Sequence, residues 1–270
     1  MELGLRGRTC VVTGASRGIG RATARMLCAE GADVLLVARS EDRLIEAADE
    51  CVAAGEEAGG RAESLATDVT DPSAADHIVR ESAERLGQVD VLVNSAGSAR
   101  WRDLDEVPDE DWYAAWELNV MAPMRLMRAS VPGMRERGWG RIVNVSSTAG
   151  KRPSAAMAEY SVAKAAELSL SRLYADRYAS DGVLVNAICP GPVKSELWME
   201  EGGLLDQSKE MGEHGDRAEA LEAAGSKRPI GRLAEVDEIA GAIVFLCSER
   251  ASYTAGAAWS VDGGTVQVII

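Results

Sequence analysis

Thr9-Cys10-Val11-Val12-Thr13-Gly14-Ala15-Ser16-Arg17-Gly18-Ile19-Gly20 is the stretch that decides the fold. Residues 9–13 read as a short buried parallel strand, the glycines as a turn, and the alanine- and arginine-rich run from Arg21 to Glu30 as a helix. A glycine turn between strand and helix is a phosphate-site pattern, because the helix N-terminus offers unpaired N–H groups and the positive end of its dipole. Gly14 permits the tight turn, Gly18 lets backbone approach a pyrophosphate, and Gly20 lets the helix pack closely on its strand. The spacing is Gly-x-x-x-Gly-x-Gly rather than Gly-x-Gly-x-x-Gly.

Outward from this unit, apolar β-rich runs alternate with amphipathic helical runs. The alternation predicts an α/β fold of the Rossmann type: a doubly wound, seven-stranded parallel sheet flanked by helices on both faces. Strands are expected at 9–13, 33–38, 62–67, 89–94, 140–146, 183–188 and 256–261. Helices are expected near 18–30, 41–57, 72–87, 109–137, 157–180 and 235–248, with Pro72 and Pro108 at helix entry and Gly31 and Gly138 at helix exit. No repeat or linker divides the chain, so 1–270 is expected to be one domain, a size that doubly wound sheets reach. The exception to tight alternation is the long polar segment 192–232, of a length usually tied to function.

Composition narrows the function. A net charge of −14 argues against nucleic-acid binding, which needs a basic footprint. No apolar run reaches the length of a membrane span, and the start Met1-Glu2-Leu3-Gly4-Leu5-Arg6-Gly7 lacks the apolar stretch of a signal peptide; a cytoplasmic protein is expected. The five cysteines have no paired spacing, and Cys10, Cys28, Cys189 and Cys247 sit in apolar segments as small hydrophobes. The two histidines, His77 and His214, have no partner motif for a Ser-His-Asp triad. No His-x-x-x-His or Cys-x-x-Cys spacing exists, so no metal site is expected.

Chemistry concentrates at Tyr160-Ser161-Val162-Ala163-Lys164, with Ser147 thirteen residues ahead of the tyrosine. Positions four apart share a helix face, so the phenol and the ammonium project the same way. A cation beside a phenol favours the phenolate, which suits a general acid/base. Ser147, after the run Ile142-Val143-Asn144-Val145, is placed to donate a hydrogen bond to a carbonyl oxygen. Ser146 competes for that role; the spacing to Tyr160 and the following Thr148-Ala149-Gly150 favour Ser147.

Taken together, these segments resemble the short-chain dehydrogenase/reductase family, in particular its 3-oxoacyl reductase-like members. The resemblance covers essentially the whole chain, from Thr13-Gly14 through Asp68-Val69, Asn94-Ser95-Ala96-Gly97, Asn119, Ser147, Tyr160/Lys164 and Pro190-Gly191 to Val261-Asp262-Gly263-Gly264. Two departures are mild: Ser95 stands where the family often has asparagine, and Ser195 where threonine is common. The resemblance implies reversible hydride transfer between a nicotinamide and a small carbonyl or secondary-alcohol substrate. Tyr160 would be the acid/base, Lys164 would support the phenolate and hold the nicotinamide ribose, Ser147 would polarise the substrate oxygen, and Asn119 would support a water in a proton relay.

For the cofactor, the resemblance implies binding by Gly14, Ser16, Arg17, Gly18, Ile19 and Gly20 of the turn, Asp68-Val69 at the adenine, and Asn94, Ala96 and Gly97 after the fourth strand. Pro190, Gly191 and Val193 would orient the nicotinamide. Asn94 has a second role open to it, tying neighbouring strands together. Charge points to NADP(H): the second strand ends in Ala38-Arg39-Ser40, with no acid at 38 to accept from ribose hydroxyls, and Arg17 and Arg39 suit a 2′-phosphate. Glu41 and Asp42 keep NAD(H) as the alternative. The 192–232 segment matches the family's substrate lid. Substrate walls are expected at 98–103, 149–158 and the lid, with Trp101 and Trp198 near the mouth, whereas Trp112 and Trp116 form an i,i+4 pair expected in helix packing. The family's use of the Tyr160 helix and its predecessor about one twofold axis, and of the last strand at another, implies a homotetramer. It would also bury the apolar tail Val266-Gln267-Val268-Ile269-Ile270. Two other readings stay open: an NAD-dependent alcohol dehydrogenase, and a non-catalytic NADP-binding sensor on the same fold.

Overall fold

The computed structural model describes residues 2–210 and 216–267, so His214 and the end of the apolar tail lie outside the described residues. Seven strands form one parallel sheet: β1 (Thr9–Thr13), β2 (Asp33–Ala38), β3 (Arg61–Ala66), β4 (Val91–Asn94), β5 (Gly140–Val145), β6 (Val183–Pro190) and β7 (Ala258–Val261). Their order across the sheet is β3-β2-β1-β4-β5-β6-β7. The expected strands all form, with ends displaced by no more than two residues.

Alternation along the strands sorts side chains into two cores. On one face Cys10, Val12, Val34, Leu36, Val91 and Val93 pack against α1 (Gly18–Ala29), α2 (Glu41–Gly55) and, at the far side, α10 (Val236–Cys247). On the other face Val11, Leu35, Val37, Leu92 and Ile142 meet α3 (Ala74–Leu86), α5 (Ala122–Glu136) and α6 (Ala158–Tyr178). Strands apolar on both sides are what a sheet covered by helices on both faces requires. The chain lays down β1, β2 and β3 in one direction and then crosses to place β4 on the other side of β1. That reversal opens a crevice beyond the carboxyl ends of β1 and β4, the usual place for a ligand in such sheets.

One expected helix differs. Residues 109–137 form α4 (Asp109–Trp116), a π-helical turn (Glu117–Met121) and α5 in succession, rather than one regular helix. The 192–232 segment carries its own short helices, α7 (Glu196–Met199), α8 (Leu204–Glu210) and α9 (Arg217–Ser226). Leu204, Leu205 and Ala220 are buried, so the segment packs as structure instead of trailing in solvent.

A buried polar chain locks α6 over the sheet. Asn94 and Asn144 are register partners on β4 and β5, and the Asn94 amide donates to Asn144 Oδ1 at 2.7 Å. The Asn144 amide donates to Ser171 Oγ at 2.8 Å, and that hydroxyl donates to the Glu167 carbonyl at 2.7 Å. Each group is buried, so losing one partner exposes the rest to an unmet hydrogen bond. Asn144→Ala is expected to cost about 1–3 kcal/mol, seen as a lower urea midpoint with an unchanged slope.

Candidate active site

The carboxyl ends of the strands surround a cavity of about 1410 Å³. Of the residues expected to act, Ser147, Tyr160 and Lys164 line it, together with Gly14, Ser16, Arg17, Gly18, Ile19 and Gly20 of the glycine turn. Arg39, Ser40, Asp68, Val69, Ala96, Gly97, Pro190, Gly191 and Val193 line it as well. Asn94 and Asn119 stand behind its wall, both buried. Asn94 spends its amide on Asn144, the strand-tying role.

On α6, Lys164 Nζ lies 5.7 Å from the centre of the Tyr160 ring. It donates to the Val145 carbonyl at 2.8 Å and to Glu167 Oε2 at 2.9 Å. Burial works against the ammonium, but Glu167 and then Tyr160 outweigh it and lift Lys164 above the ordinary lysine value. The two serines after β5 divide their work. Ser146 Oγ donates to the Lys164 carbonyl at 3.0 Å, holding the helix to the strand end. Ser147 Oγ accepts from the Ala149 N–H at 3.1 Å, which leaves its own proton to give away.

The π-helical turn places Asn119. Within it the Ala122 N–H reaches back to the Glu117 carbonyl, five residues earlier. Asn119 Nδ2 donates to the Ala115 carbonyl at 2.9 Å, while its Oδ1 is buried without a partner among the described residues. A Cβ on Gly97 would lie 3.5 Å from Asn119 Oδ1 and 3.9 Å from Lys164 Nζ, so both atoms face one small space. An unmet acceptor and an ammonium facing one space make a place for a hydroxyl or a water to bridge.

At the other end, the glycine turn is tight enough to explain its composition. Gly14 has φ +66°, and a Cβ there would lie 2.8 Å from Ala96 Cα and from the Ser95 carbonyl oxygen. A Cβ on Gly20 would lie 2.4 Å from the Gly14 carbonyl oxygen. Thr13 fixes the facing loop, its hydroxyl accepting from the Ser95 and Ala96 N–H groups at 3.1 and 3.2 Å. Asp68 turns its carboxylate onto the Thr70 N–H and hydroxyl at 3.0 and 2.7 Å, which holds it below its ordinary range. Around Pro190-Gly191, the Ala234 N–H donates to the Pro192 carbonyl and the Lys194 N–H to the Ala234 carbonyl, pinning Val193 between them.

Arginines collect at the β2 end of the cavity. Arg17, Arg39 and Arg43 all line it, whereas Glu41 and Asp42 do not. Arg17 is engaged by Glu200 at 2.6 Å, and Arg43 by the same carboxylate at 3.3 Å. Both pairs are well exposed, the class of ion pair that contributes little to stability and exchanges readily. Arg43 and Glu200 were not anticipated. Arg43 sits three residues past Ser40 on α2, a helical step that brings it back to the cavity, but Glu200 arrives from 183 residues beyond Arg17 and leaves no local signal. Glu167 was also missed, because an acid inside a helix pattern reads as solvated.

Trp101 and Trp198 line the cavity as expected, and the Trp101 N–H of the main chain donates to Gln207 Oε1 at 2.9 Å, tying the 98–103 loop to α8. Arg100 and Arg152 line it too, but Arg102 pairs with Asp111, and Lys194 with Glu235 at 2.5 Å. Trp116 is 44% exposed, so it does not pack inward as the i,i+4 reading held. All five cysteines are buried and unpaired. Among the described residues, no cluster of His, Cys, Asp or Glu is arranged for a metal ion, and no helix is long and apolar enough to cross a membrane.

The family model for short chain dehydrogenases matches residues 8–203. The 3-oxoacyl-[acyl-carrier-protein] reductase FabG of Escherichia coli is 34% identical over 266 residues, covering 98% of this chain and 100% of that protein. L-sorbose reductase from Gluconobacter frateurii, solved with NADPH and L-sorbose, has 38% identity and a TM-score of 0.91 over the full length of both chains. YwfH, an NADPH dependent reductase involved in bacilysin biosynthesis, has 26% identity and a TM-score of 0.88 over 97% of this chain and 99% of that one.

Proposed function

The chain belongs to the short-chain dehydrogenase family, and on that premise we propose that it is an NADP(H)-dependent oxidoreductase acting reversibly on a carbonyl or secondary alcohol, with Tyr160 as general acid/base. The observation that carries the reading is the convergence of Tyr160, Lys164 and Ser147 on the cavity that the glycine turn also lines. The glycine turn fits a dinucleotide: Gly14, Gly18 and Gly20 line the cavity at the N-terminus of α1, and the turn can be this tight because Gly14 and Gly20 bring no Cβ against neighbouring backbone. NADPH, when bound, supplies hydride. The protein's own groups manage the oxygen and its proton. Ser147, with its acceptor side taken by Ala149, directs its O–H at the substrate oxygen. Tyr160 delivers a proton to that oxygen in reduction and removes it in oxidation. Lys164 keeps a third N–H after serving Val145 and Glu167, enough for a ribose hydroxyl. Asn119 Oδ1, buried and unpartnered, is placed to hold a water that returns the proton. The 192–232 segment, tied to the opposite wall through Gln207, is the substrate lid.

Two further polar atoms favour a hydroxylated carbonyl compound over a purely apolar one. Among the described residues, Glu159 Oε2 and Trp101 Nε1 are buried without partners in residues that line the cavity, and substrate hydroxyls would satisfy both. L-sorbose reductase acts on such a substrate, whereas FabG takes an acyl carrier. NADPH oxidation measured with ketoses, simple ketones and 3-oxoacyl thioesters separates these readings. Tyr160→Phe is expected to lower turnover on the best of them by about 10²–10⁴-fold while NADPH still binds. Near-parental rates in that variant would overturn the acid/base role.

Three arginines line the β2 end of the cavity, no acid occupies position 38, and Glu41 and Asp42 stand outside the lining; all of this supports NADP(H). In fluorescence titrations NADPH is expected to bind at least about tenfold more tightly than NADH, or about 1.4 kcal/mol. Ala38→Asp should move the preference toward NADH. Equal affinity in the parent protein would favour the NAD(H) alternative.

Assembly as a homotetramer is supported by two apolar surfaces. Tyr113 and Trp116 of α4 are 74% and 44% exposed, and Val162 and Leu173 of α6 48% and 64%. The second surface is β7, an edge strand carrying Trp259 at 41% exposure. A dihedral assembly would cover both. Light scattering after size exclusion should give a tetramer; a monomer at micromolar concentration sinks the proposal, and a dimer leaves one interface.

A further inference from the structure

Lys164 is not an isolated cation. Its ammonium and the Glu167 carboxylate stand 2.9 Å apart, with side chains 3% and 1% exposed. Taking two charges out of water is expensive, and a buried ion pair is weak evidence of a stabilising device. An apolar residue at position 167 would satisfy packing without that cost. The acid instead sits one helical turn beyond the lysine that faces the candidate acid/base, and two turns, about 10 Å, beyond Tyr160 itself.

We propose that Glu167 is a positioning residue for the reaction: it anchors the Lys164 ammonium through a buried ion pair and offsets part of its charge, and so sets the pH at which Tyr160 gives up its proton. The inference rests on the reading of Tyr160 as general acid/base. Glu167 and the Val145 carbonyl take two of the three Lys164 N–H groups, which fixes where the third points. An ammonium compensated at contact distance exerts a weaker field on a phenol than a bare one does. Glu159, next to Tyr160 on α6, and Arg152 line the same cavity and are common to parent and variant. Cys189 faces the pair from β6, and burial pushes its thiol up to about 11, so it stays neutral near neutral pH. Lys151 and Asp262 also act on Cys189, with opposite signs. Asn119, from the π-helical turn, faces Lys164 as a neutral amide. Burial pushes the Glu167 carboxyl upward while Lys164 pulls it back.

The test needs no substrate. The ultraviolet phenolate band is titrated with pH in the full-length protein, and the Tyr160→Phe variant is subtracted to isolate one tyrosine. With the negative charge removed, Glu167→Gln should make the phenolate easier to form and lower the midpoint by about one unit, tenfold in the ionisation constant, for a charge about 10 Å away in a partly shielded interior. An unmoved or raised midpoint overturns the proposal, including the case in which only thermal stability falls. The double variant Lys164→Met/Glu167→Leu, which swaps the pair for apolar groups, decides if Glu167→Gln does not fold. Its midpoint should lie below that of Lys164→Met alone, because the anion is gone along with the cation, and equal midpoints in the two variants overturn the proposal. Should Tyr160→Phe keep its turnover, the acid/base reading fails by itself. A dead Tyr160→Phe with an unmoved Glu167→Gln midpoint defeats only the positioning role.

Discussion

Hydrogen-bonding groups shut away from water must find one another, and here that requirement runs without a break from the sheet into the site. Asn94 meets Asn144, Asn144 meets Ser171, Ser171 meets the Glu167 carbonyl, and the Glu167 carboxylate meets Lys164. Apolar packing alone would hold α6 against β6 but would tolerate small slides along the strands. A chain of donors and acceptors with one satisfying arrangement does not. The position of the Lys164 ammonium over the end of β5 is therefore inherited from the middle of the sheet.

The other half of the cavity depends on close approach in place of hydrogen bonding. Helix α1 can begin where it does because Gly20 brings no Cβ against the Gly14 carbonyl, and the β4 loop can lie across the turn because Gly14 brings none against Ala96. Thr13 bridges the two by accepting from Ser95 and Ala96. One side of the cavity is thus set by side chains that are missing and the other by a run of side chains whose pairing has one arrangement. Both sides are carried on strands buried on both faces, the least mobile part of such a fold.

Much of this was legible in the sequence, for identifiable reasons. Strand ends and the glycine turn follow from local pattern, and the Tyr160–Lys164 pair follows from helical spacing, so these were found with their boundaries nearly right. Contacts between distant segments were not. Arg17 was expected to face an anionic ligand, and it lines the cavity, yet its nearest charge is Glu200, brought back by a segment whose path no local rule gives. Glu167 was passed over because an acid in a helix is ordinarily solvated; only packing reveals that this one is buried. Trp116 was read from its i,i+4 partner, but α4 has no buried residue, and the pairing pattern carries no information about which face is covered. The regular helix expected over 109–137 failed for a related reason: α4 buries no residue, so no apolar stripe precedes the extra residue against which its change of phase could be seen.

That extra residue matters beyond the placement of Asn119. A helix advances about 100° and 1.5 Å with every residue. Through Glu117–Met121 the backbone accommodates one more residue than a regular turn holds, and everything after it keeps its orientation only because of that surplus. Leu126, Met127, Val131 and Met134 face the sheet from α5 on the strength of it. Deleting a single residue here would restore an ordinary hydrogen-bond ladder and rotate the rest of α5 by about 100°, turning its apolar stripe off the core. The segment can vary in what its residues are far more freely than in how many there are.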